Sequence, residues 1–359
     1  MSRIVGVSTA LPPLSYAQAE ITEQIAPMIV PDPAKQGVLR RLHAGSRVDR
    51  RHLVMPLERY LEPWSFSQTN GLFIEAATDL AQEALVAALS QAGIAASEVD
   101  FIVFTSVTGV SAPSIDALLV PRVGLRTDVK RMPMFGLGCV AGAAGIARLD
   151  DYLAGHPNGV AVLVAVELCS LTVQRDDDSM ANLVASGLFG DGAAAVVMVG
   201  DELAARIDSA GYEVVGTRSA LYPHTRDVLG FNPGETGFRI VLTAGVADVI
   251  DANFGADMTG FLAEHGLAVG DVQRWVAHPG GPRILEAFSE ALALPDGALE
   301  LSWTSLAAIG NLSSASVLHV LADTVRESPA QPGELCALFA LGPGVSAETV
   351  LLRWSGDPE

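Results

Sequence analysis

The chain repeats itself. The apolar run that begins at Phe101 is followed 38 positions later (139 − 101) by Cys139, and the run that begins at Arg274 is followed 37 positions later (311 − 274) by Asn311. A further strand-like run starts at Val160, 21 positions past Cys139 (160 − 139), and at Glu334, 23 past Asn311 (334 − 311). Self-similarity at an offset of 172 (311 − 139) indicates two copies of one strand–helix unit. Each copy must cover its strands. Halves that face each other would bring Cys139 and Asn311, each at a helix start, to a shared centre.

The periodicities agree with a layered α/β chain. "EVDFIVFTSVTG" (98–109), "GVAVLVAVE" (159–167) and "GDGAAAVVMVG" (190–200) are continuous apolar runs of strand length, the signature of strands buried on both faces. Residues 72–92 carry apolar positions at helical spacing and stop at Gly93. In the second half, 271–281 reads as a strand, 282–294 as a helix with Pro282 in its first turn, 310–325 as a helix and 334–342 as a strand.

Composition narrows the class. Of 359 residues, 50% are hydrophobic and 18% charged, which suits a large buried core rather than a disordered or fibrous chain. A net charge of −19 argues against nucleic acid or an anionic membrane as partner. The basic residues are nevertheless clustered: 40–51 reads "RRLHAGSRVDRR". That run is a solvated surface or a site for a phosphate-bearing ligand. Three widely spaced cysteines do not make a disulfide framework, and the N-terminus lacks the h-region and cleavage site of a signal peptide. The expectation is a cytoplasmic protein with no integral membrane segment. Metal-ligand spacings, a Walker A loop and a G-x-G-x-x-G after a strand are all missing.

Cys139 lies in "MFGLGCVAGAAGIARL", among Gly136, Gly138, Gly142 and Gly145. A thiol at a helix N-terminus feels the positive end of the dipole, which lowers its pKa and makes it a nucleophile. The small neighbours would let a thioester arm approach. The alternative is a small buried residue at a tight strand–helix junction. His278 ends a strand before Pro279-Gly280-Gly281, where open α/β folds place their chemistry. Asn311 is either an N-cap or an inward-facing amide. A papain-like hydrolase shares the order Cys, His, Asn, with the His 139 residues downstream (278 − 139), but lacks that family's context around the Cys.

"GLGCVAGAAGIARL", "GLFGDGAAA", "HPGGPRIL" and "GNLSSASVLHVL", in that order, resemble the type III polyketide synthases, chalcone-synthase-like members of the thiolase superfamily, and look most like the actinobacterial alkylpyrone synthases. The resemblance implies a five-layered αβαβα thiolase-like fold of two duplicated halves, 1–205 carrying the nucleophilic Cys and 206–359 carrying the His and Asn, working as a homodimer. It implies a catalytic Cys139, His278 and Asn311. Cys139 takes the acyl group of a starter acyl-CoA. His278 and Asn311 hold malonyl-CoA or methylmalonyl-CoA through decarboxylation and Claisen condensation. Metal and prosthetic group are not needed, since CoA is the carrier.

Phe189 matches the family's aromatic gatekeeper, and the second gate aligns with Ile240, with Phe238 two residues earlier. Val107 and Cys169 stand where plant enzymes carry Thr, while Thr172 and Ser313 are kept. Ala112 replaces a bulky residue that crosses from the partner subunit. For the CoA site the resemblance implies Arg41, Gly280, Gly281 and Arg283; two further cationic positions fall on Val38 and Gly45, with Arg47 nearby as a substitute. The "GFGPG" loop reads "ALGPG", with Ala340 in place of the first Gly. These replacements predict a deeper, more apolar pocket, a long-chain acyl starter and an alkyl α-pyrone product. The alternatives are an alkylresorcinol, or a ketoacyl synthase III-like enzyme that uses acyl carrier protein.

Overall fold

In the computed structural model, residues 1–356 are described except 176, 208, 209 and 329. The first half contributes strands β1 (Arg3–Ala10), β2 (Leu14–Ala17), β3 (Arg50–Leu53), β4 (Phe101–Thr105), β5 (Lys130–Met134), β6 (Val160–Leu168) and β7 (Asp191–Val199). The second contributes β8 (Gly211–Leu221), β9 (Leu229–Gly234), β10 (Gly237–Leu242), β11 (Arg274–Ala277), β12 (Leu335–Gly342) and β13 (Ser346–Ser355).

Strand order makes the duplication explicit. The first half runs β1-β7-β6-β4-β5 and the second β8-β13-β12-β11. In both, an inner or edge strand pairs in parallel with the next-to-last strand of its half, β4 with β6 and β11 with β12, and the last strand runs antiparallel between that next-to-last strand and the first. The two sets join through β1 and β8, at Arg3↔Glu213 and Ile4↔Tyr212.

Alternation along the strands builds the layers. In β6, Val160, Val162, Val164 and Val166 face one core with Phe73, Ala77, Ala81 and Leu85 of the helix Phe66–Ala92. Ala161, Leu163 and Ala165 face a second core shared with Ile146 and Leu149 of the helix Ala141–Ala154 and with Val317, Leu318 and Leu321 of the helix Ser316–Glu327. Cys336, Leu338 and Ala340 of β12 reach the same core from the other side, while Leu335, Ala337 and Phe339 turn outward to Phe254, Phe261 and Phe288. The order is helix, sheet, paired helices, sheet, helix: the five-layered αβαβα arrangement.

Several expected elements shift at their ends. The helix expected over 72–92 starts at Phe66, because Ser65 and Gln68 form a capping box, and Gly93 ends it at φ 64°. The strand expected over 271–281 is only Arg274–Ala277, and the segment after Asn311 enters its helix through a 3-10 turn at Ser313–Ala315.

Candidate active site

The two inner helices start against each other, and glycine makes this possible. A Cβ on Gly142 would lie 2.3 Å from the carbonyl oxygen of Ser314, and one on Gly145 would lie 2.5 Å from Leu163. These two glycines serve helix packing rather than the approach of a thioester arm. Gly138 (φ 58°) and Gly136 (φ 93°) are the ones that shape the turn around Cys139.

Cys139 sits on a 3-10 turn, Gly138–Val140, just ahead of its helix, and is partly exposed. Its Sγ lies 3.6 Å from Ser313 Oγ. Ser313 has φ 49°, a left-handed conformation unusual for a side chain with a Cβ, and its N–H donates to Asn311 Oδ1 at 2.7 Å. Ser316 Oγ donates to the same oxygen at 3.3 Å. With Oδ1 held, the amide orientation of Asn311 is set. Nδ2 donates one hydrogen to the carbonyl of Gly280 at 3.1 Å and keeps a second for a ligand. Gly280 is two residues from His278, and a Cβ there would touch the His278 ring at 3.4 Å. The Asn311–Ser313 turn thus links the Cys139 turn to the His278 loop.

Electrostatics differ from the expectation of a lowered thiol pKa. Desolvation pushes Cys139 up to about 12, with the Ser313 hydroxyl opposing and the Glu167 carboxylate reinforcing. Burial and the neighbouring carboxylate outweigh the hydrogen bonds that would lower it. His278 is buried, its Nδ1 has no hydrogen-bond partner among the described residues, and burial alone pulls it down to about 3, so its imidazole is neutral.

A cavity of about 40 Å³ is lined by Thr108, Cys169, Thr172, Phe189, Ile240 and Ser313 among others. Phe238 lines it too: residues two apart on β10 share a face, so both candidates for the second gate are present. Phe231 and Phe238 separate it from a second cavity of about 330 Å³, lined by Val107 together with Arg226, Asp227 and Asn232. Aromatic rings of β9 and β10 lie across the pocket that Val107 and Cys169 were expected to deepen, with Cys169 on the inner side and Val107 on the outer. Ala112 is exposed and lines neither cavity. Arg41 and Arg283 are exposed, and Gly281 takes φ 149° at the start of the helix Pro282–Ala291. Arg47 stacks over Trp303 at 4.7 Å and lies 4.0 Å from Glu286.

Glu167 was invisible to the motif reading, although a lone acid at the end of an apolar strand is a signal. Its Oε2 accepts from Ser106 Oγ, Val107 N–H and Thr108 Oγ1, and its Oε1 from Ser314 Oγ and N–H. Phe189 is held differently. Asn311 N–H donates to Leu188 O at 2.8 Å and Gly190 N–H to Asn311 O at 3.0 Å, so Phe189 and Asn311 share one backbone bridge. Arg51 Nη1 donates to the Phe189 carbonyl at 2.7 Å.

The profile of the chalcone and stilbene synthase N-terminal domain matches residues 2–202, and that of the C-terminal domain matches 213–355. The chain is 53% identical over 352 residues to a 1,3,6,8-tetrahydroxynaphthalene synthase of Streptomyces peucetius subsp. caesius, covering 98% of this chain and 93% of the relative. It is 29% identical to the α-pyrone synthesis polyketide synthase-like Pks18 of Mycobacterium tuberculosis, over 97% and 90% of the two chains. The crystal structure of the 1,3,6,8-tetrahydroxynaphthalene synthase of Streptomyces coelicolor superposes with TM-score 0.92 at 30% identity, over 98% of this chain and 99% of that one. The identities thus lean toward a naphthalene-forming relative rather than the alkylpyrone synthases expected from the motifs. A duplicated thiolase-like fold, the Asn311–Ser313 turn between the Cys139 turn and the His278 loop, and profile matches over both halves lead to one conclusion: this chain belongs to the chalcone and stilbene synthase family, the type III polyketide synthases, condensing enzymes of the acyltransferase class.

Proposed function

We propose that the chain builds a short, polar polyketide from malonyl-CoA and closes it to an aromatic product of the tetrahydroxynaphthalene type. The observation that carries this is the cavity. Its inner part holds only about 40 Å³, so a growing chain must extend past Phe231 and Phe238 into the second cavity of about 330 Å³. Beyond Phe231 and Phe238 the lining turns to Arg226, Asp227 and Asn232. Arg226 and Asn232 can donate hydrogen bonds to the alternate carbonyls of a β-ketone chain, a return that an alkyl tail does not offer. The 53% relative named for a tetrahydroxynaphthalene supports the same reading, since that ring system carries oxygen on alternate carbons, as joined two-carbon units leave it.

In this mechanism Cys139 attacks the starter thioester. Charging thiol or imidazole alone is costly; passing the thiol proton to His278 as attack begins creates two opposite charges that offset each other. CoA leaves as its thiolate and takes a proton from solvent, the acyl group stays on sulfur, and His278 keeps the proton it received. His278 and the free Nδ2 hydrogen of Asn311 then donate to the thioester carbonyl of malonyl-CoA. Loss of CO2 leaves an enolate whose charge those donors meet, and its carbon attacks the acyl carbonyl. A C–C bond forms, the C–S bond to Cys139 breaks, and the thiolate is released. Neither metal nor prosthetic group is required, and Arg41, Gly280, Gly281 and Arg283 serve the CoA moiety. The chain acts as a homodimer in the cytoplasm. Support for the dimer comes from edge strand β5, with Phe135 60% exposed beside it; no helix among the described residues is long and apolar enough to cross a membrane.

Long-chain starters with malonyl-CoA or methylmalonyl-CoA, giving an alkyl α-pyrone or an alkylresorcinol, remain the second reading, favoured by the name of the 29% relative. Product mass spectrometry decides: purified enzyme receives malonyl-CoA alone, then with acetyl-CoA to palmitoyl-CoA, and with methylmalonyl-CoA as extender. An aromatic product from malonyl-CoA alone is expected. Pyrones formed only when a long starter is added would refute it.

A further inference from the structure

Strands β9 and β10 form a two-stranded sheet of their own, outside the main sheet, and carry Phe231, Phe238 and Ile240 over the inner cavity. Phe231 and Phe238 are also the wall toward the second cavity. Whatever holds this hairpin down therefore decides how large the reaction chamber is.

Apolar contacts contribute, with Phe238 edge-on to Phe66 at 5.5 Å and tilted against Phe135 at 6.1 Å. Such contacts are non-directional and tolerate sliding. The directional ties are few. Among the described residues, every hydrogen bond from residues 229–242 to elements outside the hairpin and its flanking turn goes to one side chain, Gln174. Its Nε2 donates to the Phe238 carbonyl at 3.4 Å and to the Thr172 carbonyl at 2.9 Å, and its Oε1 accepts from Thr236 Oγ1 at 2.5 Å. The Gln174 carbonyl in turn accepts from Asn182 Nδ2, on the helix Met180–Leu188 that ends at Phe189. Gln174 is 5% exposed, so water does not compete readily for these bonds.

We infer that Gln174 is a specificity-determining positioning residue, the polar latch that holds the β9–β10 hairpin over the catalytic chamber and sets the longest chain it accepts. Gln174 acts through Phe231 and Phe238. With the latch intact, the rings divide the chamber; with it cut, the hairpin lifts and the two cavities merge. The inference rests on the reading of this cavity as the place where the acyl chain is held.

The test compares Gln174→Leu, which keeps volume and removes both polar arms, with Thr236→Val, which cuts one tie from the exposed side of the hairpin. Leu85→Ala, in the outer helix, serves as a control for general destabilisation. Hydrogen exchange is read at amides 229–242, and kcat/KM is compared for lauroyl-CoA and acetyl-CoA as starters with malonyl-CoA. In Thr236→Val, exchange in the hairpin should rise about tenfold while decarboxylation of malonyl-CoA stays unchanged. The lauroyl to acetyl ratio should rise in both latch variants, most in Gln174→Leu, and not in Leu85→Ala. Unchanged exchange in both latch variants overturns the inference, as does a looser hairpin with the same chain-length ratio. Failure of the wild-type enzyme to decarboxylate malonyl-CoA would instead sink the condensing-enzyme reading of the site.

Discussion

The hydroxyl of Ser314 donates to Oε1 of Glu167 at 2.5 Å, which ties the Asn311 turn of the second half to the end of β6 in the first. Two backbone N–H groups, those of Val107 and Ser314, approach the two carboxylate oxygens from opposite sides. A glutamine at 167 must therefore point its NH2 at one of them, and a backbone donor cannot rotate away as a hydroxyl can. Glu167→Gln should cost about 1–3 kcal/mol and lower condensation more than its stability loss explains. Thermal denaturation alongside malonyl-CoA decarboxylation measures both; a variant with wild-type values would remove Glu167 from this role.

Asn311→Ala removes the free Nδ2 donor. Decarboxylation should fall by about 10²–10³, the usual effect of losing one preorganised donor to an oxyanion, whereas acyl loading on Cys139, followed by intact-protein mass, should persist. Cys139→Ala should show the reverse: no acyl-enzyme.

Phe231→Gly removes one of the two rings between the cavities of about 40 and 330 Å³. Longer starters should then be accepted, read as a shift in product mass toward chains the wild type rejects. An unchanged product range would mean that Phe238 alone sets the boundary.

Gly142→Ala forces a Cβ to 2.3 Å from a backbone oxygen of the facing helix, a clash that only movement of one inner helix relieves. Overpacking of this kind costs roughly 1–3 kcal/mol, and because Ser314 and Asn311 belong to the displaced segment, activity should drop with Tm. Gly136→Ala meets no atom within 4 Å and carries only backbone strain at φ 93°, so its Tm loss should be smaller.

Acid should destabilise the protein from pH 6.5 downward. Burial depresses His43 and His278 to about 3 and His319 to about 4, so each is neutral when folded and charges when unfolded. Their stabilisation is complete above 6.5 and is lost as pH falls toward the folded values, at up to about 1.4 kcal/mol per pH unit each. Asp191 works the other way: burial raises it to about 6, so its effect favours the folded state as pH falls from 6 toward 3.8. The three histidines outweigh it. Tm measured from pH 7.5 to 5 should decline, and His319→Gln should flatten the slope; a flat wild-type profile would contradict these protonation states.

The duplication, the buried strands and the places of Cys139, His278 and Asn311 were legible because each is local: an apolar period, a glycine-bounded turn, a motif of fixed spacing. β8 and β13 escaped the reading, since β8 mixes exposed and half-buried positions and neither strand shows a clean period. Glu167 and Gln174 escaped it for another reason. Their partners lie 60 and 64 residues away, at Val107 and Phe238, and local spacing does not encode such pairings. By itself the sequence determined the fold class and the family, because hydrophobic period and motif spacing act through neighbours along the chain. Only the tertiary structure decided the chamber's size and polarity, since Phe231, Phe238 and Arg226 line it through a separate hairpin and its flanking turn, whose position depends on long-range packing.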